Sequence, residues 1–145
     1  MPQRLVRTLI ARQTVLAVAA TMHVAEAARL MKSNKVGAAM VVNDAGRLIG
    51  MFTERDALFR VLAEGRNPKT TRLAEVLTGT PKTIHPDKPF SHALHMMYEG
   101  GFRHVPVVEH GKPVGMVSAR DALGLERAEF ANDLDRREWI GEILG

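Results

Sequence analysis

Apolar residues return at helical spacing twice along this chain. Val24, Ala27, Ala28 and Met31 fall at i, i+3, i+4 and i+7, and Phe90, Ala93, Leu94 and Met97 repeat the pattern at matching positions. Each run predicts a helix with one apolar stripe, and the two should pack alike. Asp87 and Ser91 read as start signals for the second helix. Gly100-Gly101 reads as its stop, and Asn34 to Gly37 as the stop of the first. A short extended lead precedes each helix, Thr14–Ala20 and Thr80–Pro86. After each come two strand-like runs joined by a turn, Ala38–Val42 with Leu48–Phe52 and His104–Val108 with Val114–Val117. Pro106 suits an edge position or a bulge. A further helix is predicted from Thr53 through Leu58, Val61 and Leu62 to Gly65. Its counterpart starts near Ser118 and passes Leu123 and Leu125.

The order lead, helix, strand, strand, helix therefore occurs twice. The second strand ends both times in one signature. Gly50-Met51-Phe52-Thr53-Glu54-Arg55-Asp56 recurs as Gly115-Met116-Val117-Ser118-Ala119-Arg120-Asp121, 65 residues later. Such a period points to two units, neither of which buries its apolar face alone. The expected boundaries are 8–65 and 80–125 for the units, with a polar connector and a short helix at 66–79, the helix over Leu73–Leu77. Residues 126–145 form a charged tail. Phe130, Leu134, Trp139, Ile140 and Leu144 predict an amphipathic helix there, packed on the module or on a partner.

Composition narrows the class. A chain of 145 residues, 46% apolar and 25% charged, suits one soluble domain. There is no cysteine, which excludes disulfides and thiolate metal sites. The net charge of +4 comes from 20 basic and 16 acidic residues that are interspersed, as on a solvated mixed surface. Arg4, Arg7 and Arg12 before Val15–Ala20 superficially resemble a signal peptide. That apolar run is short and matches Thr80–Pro86 of the second unit, so it belongs to the fold. No run reaches the ~20 apolar residues of a membrane helix, and a cytoplasmic location is expected. Nucleophile elbow, P-loop and dinucleotide fingerprint are absent from the sequence. His92 and His95 lie three apart without an evident third ligand. The expectation is a binding module with no catalytic residues, catalytic cofactor or metal site.

The signature allows two readings. Thr53-x-x-Asp56 and Ser118-x-x-Asp121 fit a capping box, in which hydroxyl and carboxylate satisfy helix N-terminal donors. They also fit a ligand corner. A carboxylate accepts from both hydroxyls of a ribose, and hydroxyl and backbone N–H groups at a helix start can meet a phosphate. Arg55 and Arg120 add charge.

The doubled pattern, over about residues 8–125, resembles the cystathionine-beta-synthase (CBS) domain family, as a tandem pair or Bateman module. The resemblance implies an α/β fold of the α+β type, with two βαββα repeats about a pseudo-two-fold axis and two clefts between them. It implies a regulatory sensor, commonly a homodimer, that binds adenosine-containing ligands such as AMP, ADP, ATP, NAD or S-adenosylmethionine. The ligand would act through conformation or assembly on an unidentified effector protein. Carried over by position, the Ser118–Asp121 cleft would hold adenine against Leu16, Ala17, Val36, Gly37 and Ala38. The Thr53–Asp56 cleft would use Lys82, Thr83, Phe102, Arg103 and His104. Met51 and Met116, on the returning strands, fit equally a place flanking the base and a place in the core. Arg103-His104 faces Gly37-Ala38 in the repeat alignment, so the two sites are expected to differ. The alternative is a nucleic-acid-binding or scaffolding protein using its basic residues; an aromatic content of 5% argues against it.

Overall fold

The structure, a computed structural model, describes residues 4–79 and 81–124, together with 131 and 134. The expected tail helix, with Phe130 and Trp139, lies otherwise outside the described residues. The elements are α1 (Val6–Ile10), β1 (Ala17–Ala19), α2 (Val24–Asn34), β2 (Ala38–Val42), β3 (Leu48–Thr53) and α3 (Glu54–Asp56). They continue with β4 (Thr78–Gly79), α4 (Phe90–Gly100), β5 (His104–Glu109) and β6 (Lys112–Ser118). The chain of α3 runs on as a π-helical stretch, Ala57–Leu62, to Gly65 at φ 67°. Residues 119–124 form the matching helix. Among the described residues no helix is long and apolar enough to cross a membrane.

The first repeat forms a sheet of order β1-β2-β3-β4, parallel between β1 and β2 and antiparallel beyond. The second forms the antiparallel pair β5-β6, which the lead joins by a single parallel bridge, Ile84 to Val107. Pro106 pairs with Met116, and its carbonyl accepts from the Ile84 N–H. Its missing donor costs the β5–β6 ladder nothing, because the Met116 backbone is turned outward to Gln13.

Strand alternation sorts the side chains. Ala39, Val41 and Phe52 join Val18, Val24, Ala27, Met31 and Val61 in one core. Val105, Val107 and Val117 join Ile84, Phe90, Ala93 and Met97 in another. Ala38, Met40 and Met51 are also buried but belong to neither core. They sit on the opposite face of their strands, between the repeats.

Neither core is completed by its own repeat. The segment before the second repeat forms a short 3-10 turn, Leu73–Glu75, and Leu73 and Val76 fill the first core. The N-terminal segment, which overlaps the start of the expected first unit, forms α1, and Val6 and Ile10 fill the second core. Sequence periodicity missed α1, because five residues carry too little of a helical pattern. The exchange is also made in backbone. The Val24 N–H donates to the Thr71 carbonyl and the Leu73 N–H to the Met22 carbonyl; the Phe90 N–H donates to the Arg4 carbonyl and the Val6 N–H to the Lys88 carbonyl. The first donors of α2 and α4 are thus satisfied by a strap's backbone. That corrects the expected starts: Pro89 stands at the N-cap of α4, with no side-chain cap. Asp87 instead accepts from Arg7 Nε at 2.8 Å, which holds its carboxyl below the usual carboxylate range. Both helices end in a left-handed residue, Lys35 at φ 55° and Gly101 at φ 68°.

The straps explain the glycine that opens each signature. A Cβ on Gly50 would lie 2.7 Å from a Leu77 methyl and 2.9 Å from the Thr78 carbonyl; one on Gly115 would lie 2.7 Å from Ile10 Cβ. Only a bare strand lets the strap lie flat. Gly115→Ala should therefore cost about 1–3 kcal/mol through overpacking. Gly124→Ala, whose Cβ meets none of the described residues, should stay within about 0.5 kcal/mol of the parent or exceed it. Urea denaturation of the two variants measures the difference, and equal losses would contradict close docking of the strap.

Candidate functional site

Each signature ends a strand and starts a helix, and there the capping reading is realised. In the first repeat the Thr53 N–H donates to Asp56 Oδ2 at 3.0 Å, and the Asp56 N–H donates to Thr53 Oγ1 at 3.2 Å. In the second, the Ser118 N–H donates to Asp121 Oδ2 at 2.7 Å and Ser118 Oγ lies 3.4 Å from the same oxygen. The following N–H of each helix is caught from within its own repeat. Glu54 donates to the Gly37 carbonyl and Ala119 to the Arg103 carbonyl, both at 2.9 Å.

Beyond the cap the two carboxylates differ. Asp56 is buried, its side chain 8% exposed. Thr78 Oγ1 approaches both its oxygens, at 3.3 and 3.4 Å, and Arg60 Nε lies 3.5 Å from Oδ1. Asp121 is half-buried. Among the described residues only Ser118 hydrogen-bonds it, through Oδ2.

Both corners open onto clefts between the repeats. The wider one encloses about 1200 Å³ and is bounded by Ser118, Arg120, Asp121 and Met116 on one side and Leu16, Val36, Gly37 and Ala38 on the other. The narrower, about 620 Å³, is bounded by Thr53, Arg55 and Asp56 of the first repeat and Lys82, Phe102 and His104 of the second. The Arg55 guanidinium sits 5.3 Å above the Phe59 ring on its wall.

Three expected positions fall elsewhere. Ala17 lines neither cleft, although it is exposed on β1 in register with Met40, which lines the wide one. Thr83 lines neither as well, and is exposed beside buried Ile84. Arg103 lines the wide cleft rather than the narrow one. Its carbonyl is bound to the helix start after Ser118, so its side chain projects from that corner.

His104 lines both clefts and forms part of the wall between them. It faces Gly37, where a Cβ would lie 3.2 Å from His104 Nε2 and 3.1 Å from the Glu54 carboxylate. Gly37 is favoured here by tight space rather than by conformation. Burial pushes the His104 imidazole below its ordinary value. Glu54 and Asp121 pull it back up, and Arg103 pushes it further down.

Sequence reasoning missed Lys32, Lys35 and Glu54 in the wide cleft and Phe59, Arg60 and Thr78 in the narrow one. Lys32 and Lys35 close the end of α2, so their proximity to the signature depends on packing that no local pattern carries. Glu54 and Arg60 are nearer to legible, being one and seven residues from Thr53. Among the described residues no cluster of three metal-ligating side chains forms, and His92 and His95 are exposed.

A sequence model of the CBS domain matches the chain twice, at residues 6–63 and 73–127. The chain is 30% identical over 118 residues to an uncharacterized protein of Methanopyrus kandleri, covering 81% of this chain and 60% of that one. It spans only 23% and 18% of two Arabidopsis thaliana CBS-domain proteins that it also matches. In fold it is similar to a putative signal-transduction protein with CBS domains from Burkholderia ambifaria, with TM-score 0.78 and 28% identity over 86% of this chain and 95% of that one. It is likewise similar to a CBS-domain pair solved with 5′-methylthioadenosine and S-adenosyl-L-methionine, with TM-score 0.75 and 25% identity over 84% and 98% of the two chains.

The half-buried His104 imidazole gives a pH signature. Its folded value lies below the unfolded one near 6.5. The unfolded chain then binds more protons in this window, so stability is full above about pH 6.5 and falls as pH drops towards the lowered value. The melting temperature of the parent should decline faster between pH 7 and 5 than that of His104→Gln; parallel profiles would contradict the assignment.

Proposed function

The chain belongs to the CBS-domain family, and on that premise we propose that it is a regulatory module, not an enzyme. Its inter-repeat cleft takes an adenosine-containing ligand. The observation that carries this reading is the pairing across the wide cleft. A half-buried carboxylate and a hydroxyl, Asp121 and Ser118, stand at a helix start of one repeat, and the small residues Gly37 and Ala38 stand on the other. The carboxylate suits a ribose diol. The small residues leave a flat slot with main-chain partners for a base. A related CBS pair solved with two adenosyl compounds supports the same ligand class.

The capping bond and the ligand role are compatible. Asp121 uses Oδ2 for the Ser118 N–H, which fixes the carboxylate and leaves Oδ1 for a guest.

Regulation follows from where the ligand would sit. A guest touching both repeats is bound fully only when they are docked as here. It stabilises that packing by its differential affinity and by no more. Exposed apolar residues on the helices after the signatures, Leu58, Phe59 and Leu62 on one and Leu123 on the other, support a homodimer as the responding assembly.

Thermal shift tests the ligand class. AMP, ADP, ATP or NAD should raise the melting temperature, by about 2.7 kcal/mol of linkage at 100-fold excess over the dissociation constant, while GMP and CMP should not. Native mass spectrometry of the purified protein would show a retained ligand and the assembly together. Indifference to every adenosine compound would overturn the reading.

A further inference from the structure

The two signatures match in sequence, yet their carboxylates sit in different surroundings. Asp56 accepts from the Thr53 N–H and hydroxyl and from the Thr78 hydroxyl, with Arg60 beside it. Arg60 also donates to the Leu77 carbonyl at 2.9 Å. Asp56, Arg60 and Thr78 thereby fasten β4 and the end of the connector onto α3. A carboxylate this buried, with its oxygens already taken by Thr53 and Thr78 and with Arg60 alongside, would have to share or release those donors to receive a ribose.

Among the described residues the second repeat shows neither fastening. The residue in register with Arg60 is Leu125, which carries no donor. The segment in register with β4 holds Gln13, whose amide is spent on the Met116 backbone: Nε2 donates to the Met116 carbonyl at 2.8 Å, and Oε1 accepts the Met116 N–H at 2.9 Å. The strap there closes the strand edge without reaching the carboxylate. Asp121 is left facing the wide cleft.

The charge around that cleft is unequal as well. Lys32, Lys35, Arg103 and Arg120 line it against two carboxylates, Glu54 and Asp121. An uncharged adenosine, or one bearing a sulfonium, leaves that surplus without a partner; a phosphate uses it.

We propose that the Ser118–Asp121 cleft alone takes ligand, one per chain, and that the ligand is a phosphorylated adenosine. The Thr53–Asp56 corner is a structural latch. This rests on the adenosine reading above and narrows it to one cleft and one charge class.

Isothermal titration of the full chain with ADP tests it, with adenosine and 5′-methylthioadenosine as comparison probes. The expected result is one site per chain, with ADP at least tenfold tighter than either uncharged probe. Asp121→Asn should weaken ADP at least tenfold. Arg103→Glu, an exposed position that leaves the helix cap alone, should do the same even if the first variant folds poorly. Lys82→Glu, in the narrow cleft, should change affinity less than twofold. Two equal sites per chain, or a tenfold loss with Lys82→Glu, would overturn the latch while leaving the adenosine reading in place. Uncharged probes binding as tightly as ADP would overturn the charge class. Absence of binding by all three would overturn this inference together with the reading it rests on.

Discussion

Everything in this fold depends on a reciprocal loan of backbone and side chains between the repeats. Leu73 and Val76 complete the core of the first repeat, and Val6 and Ile10 that of the second. The same straps supply the carbonyls that take the first N–H groups of α2 and α4. A helix start inside a core has no water to bond, so these carbonyls are a requirement rather than an embellishment. Removing either strap would strip one repeat of core and of helix caps together. The two repeats therefore form one module in energetic terms, although the sequence pattern divides them.

The clefts are a by-product of that docking. Each strap lies against a returning strand at its glycine, Gly50 or Gly115. The signature corners, a few residues further on, lie at the seam between the repeats. There Thr53, Asp56, Ser118 and Asp121 serve first as helix starts, whatever else they bind. The capping and ligand readings of the motif do not compete, because a capped carboxylate is held still and keeps accepting capacity. What separates the corners is the donors added after the cap, Thr78 and Arg60 on one side and none among the described residues on the other.

The strand pairs, the helices α2 and α4 and the doubled order were legible, since each rests on a period of two or about 3.6 within a dozen residues. The fold class and the family followed from the same regularity. Helix ends at Gly65 and Gly101 were legible from the residue type, because a left-handed backbone favours glycine. The left-handed Lys35 was less so, the stop being marked only as a region. The start of α4 was misread at Asp87 and Ser91. The true cap is a carbonyl of Arg4, more than eighty residues away, and no local rule contains it.

The site divides in the same way. From its letters alone the chain determined that two hydroxyl–carboxylate turns exist, at which residues, and that each starts a helix, because a cap is a contact between residues three apart. Only tertiary structure decided which carboxylate is sealed and which is offered, that Arg103 turns to the wide cleft, and that Lys32, Lys35 and Glu54 gather beside it. Those outcomes are set by long-range packing: where a strap comes to rest, which donor it carries, and which wall a long side chain can reach once the repeats have closed on each other.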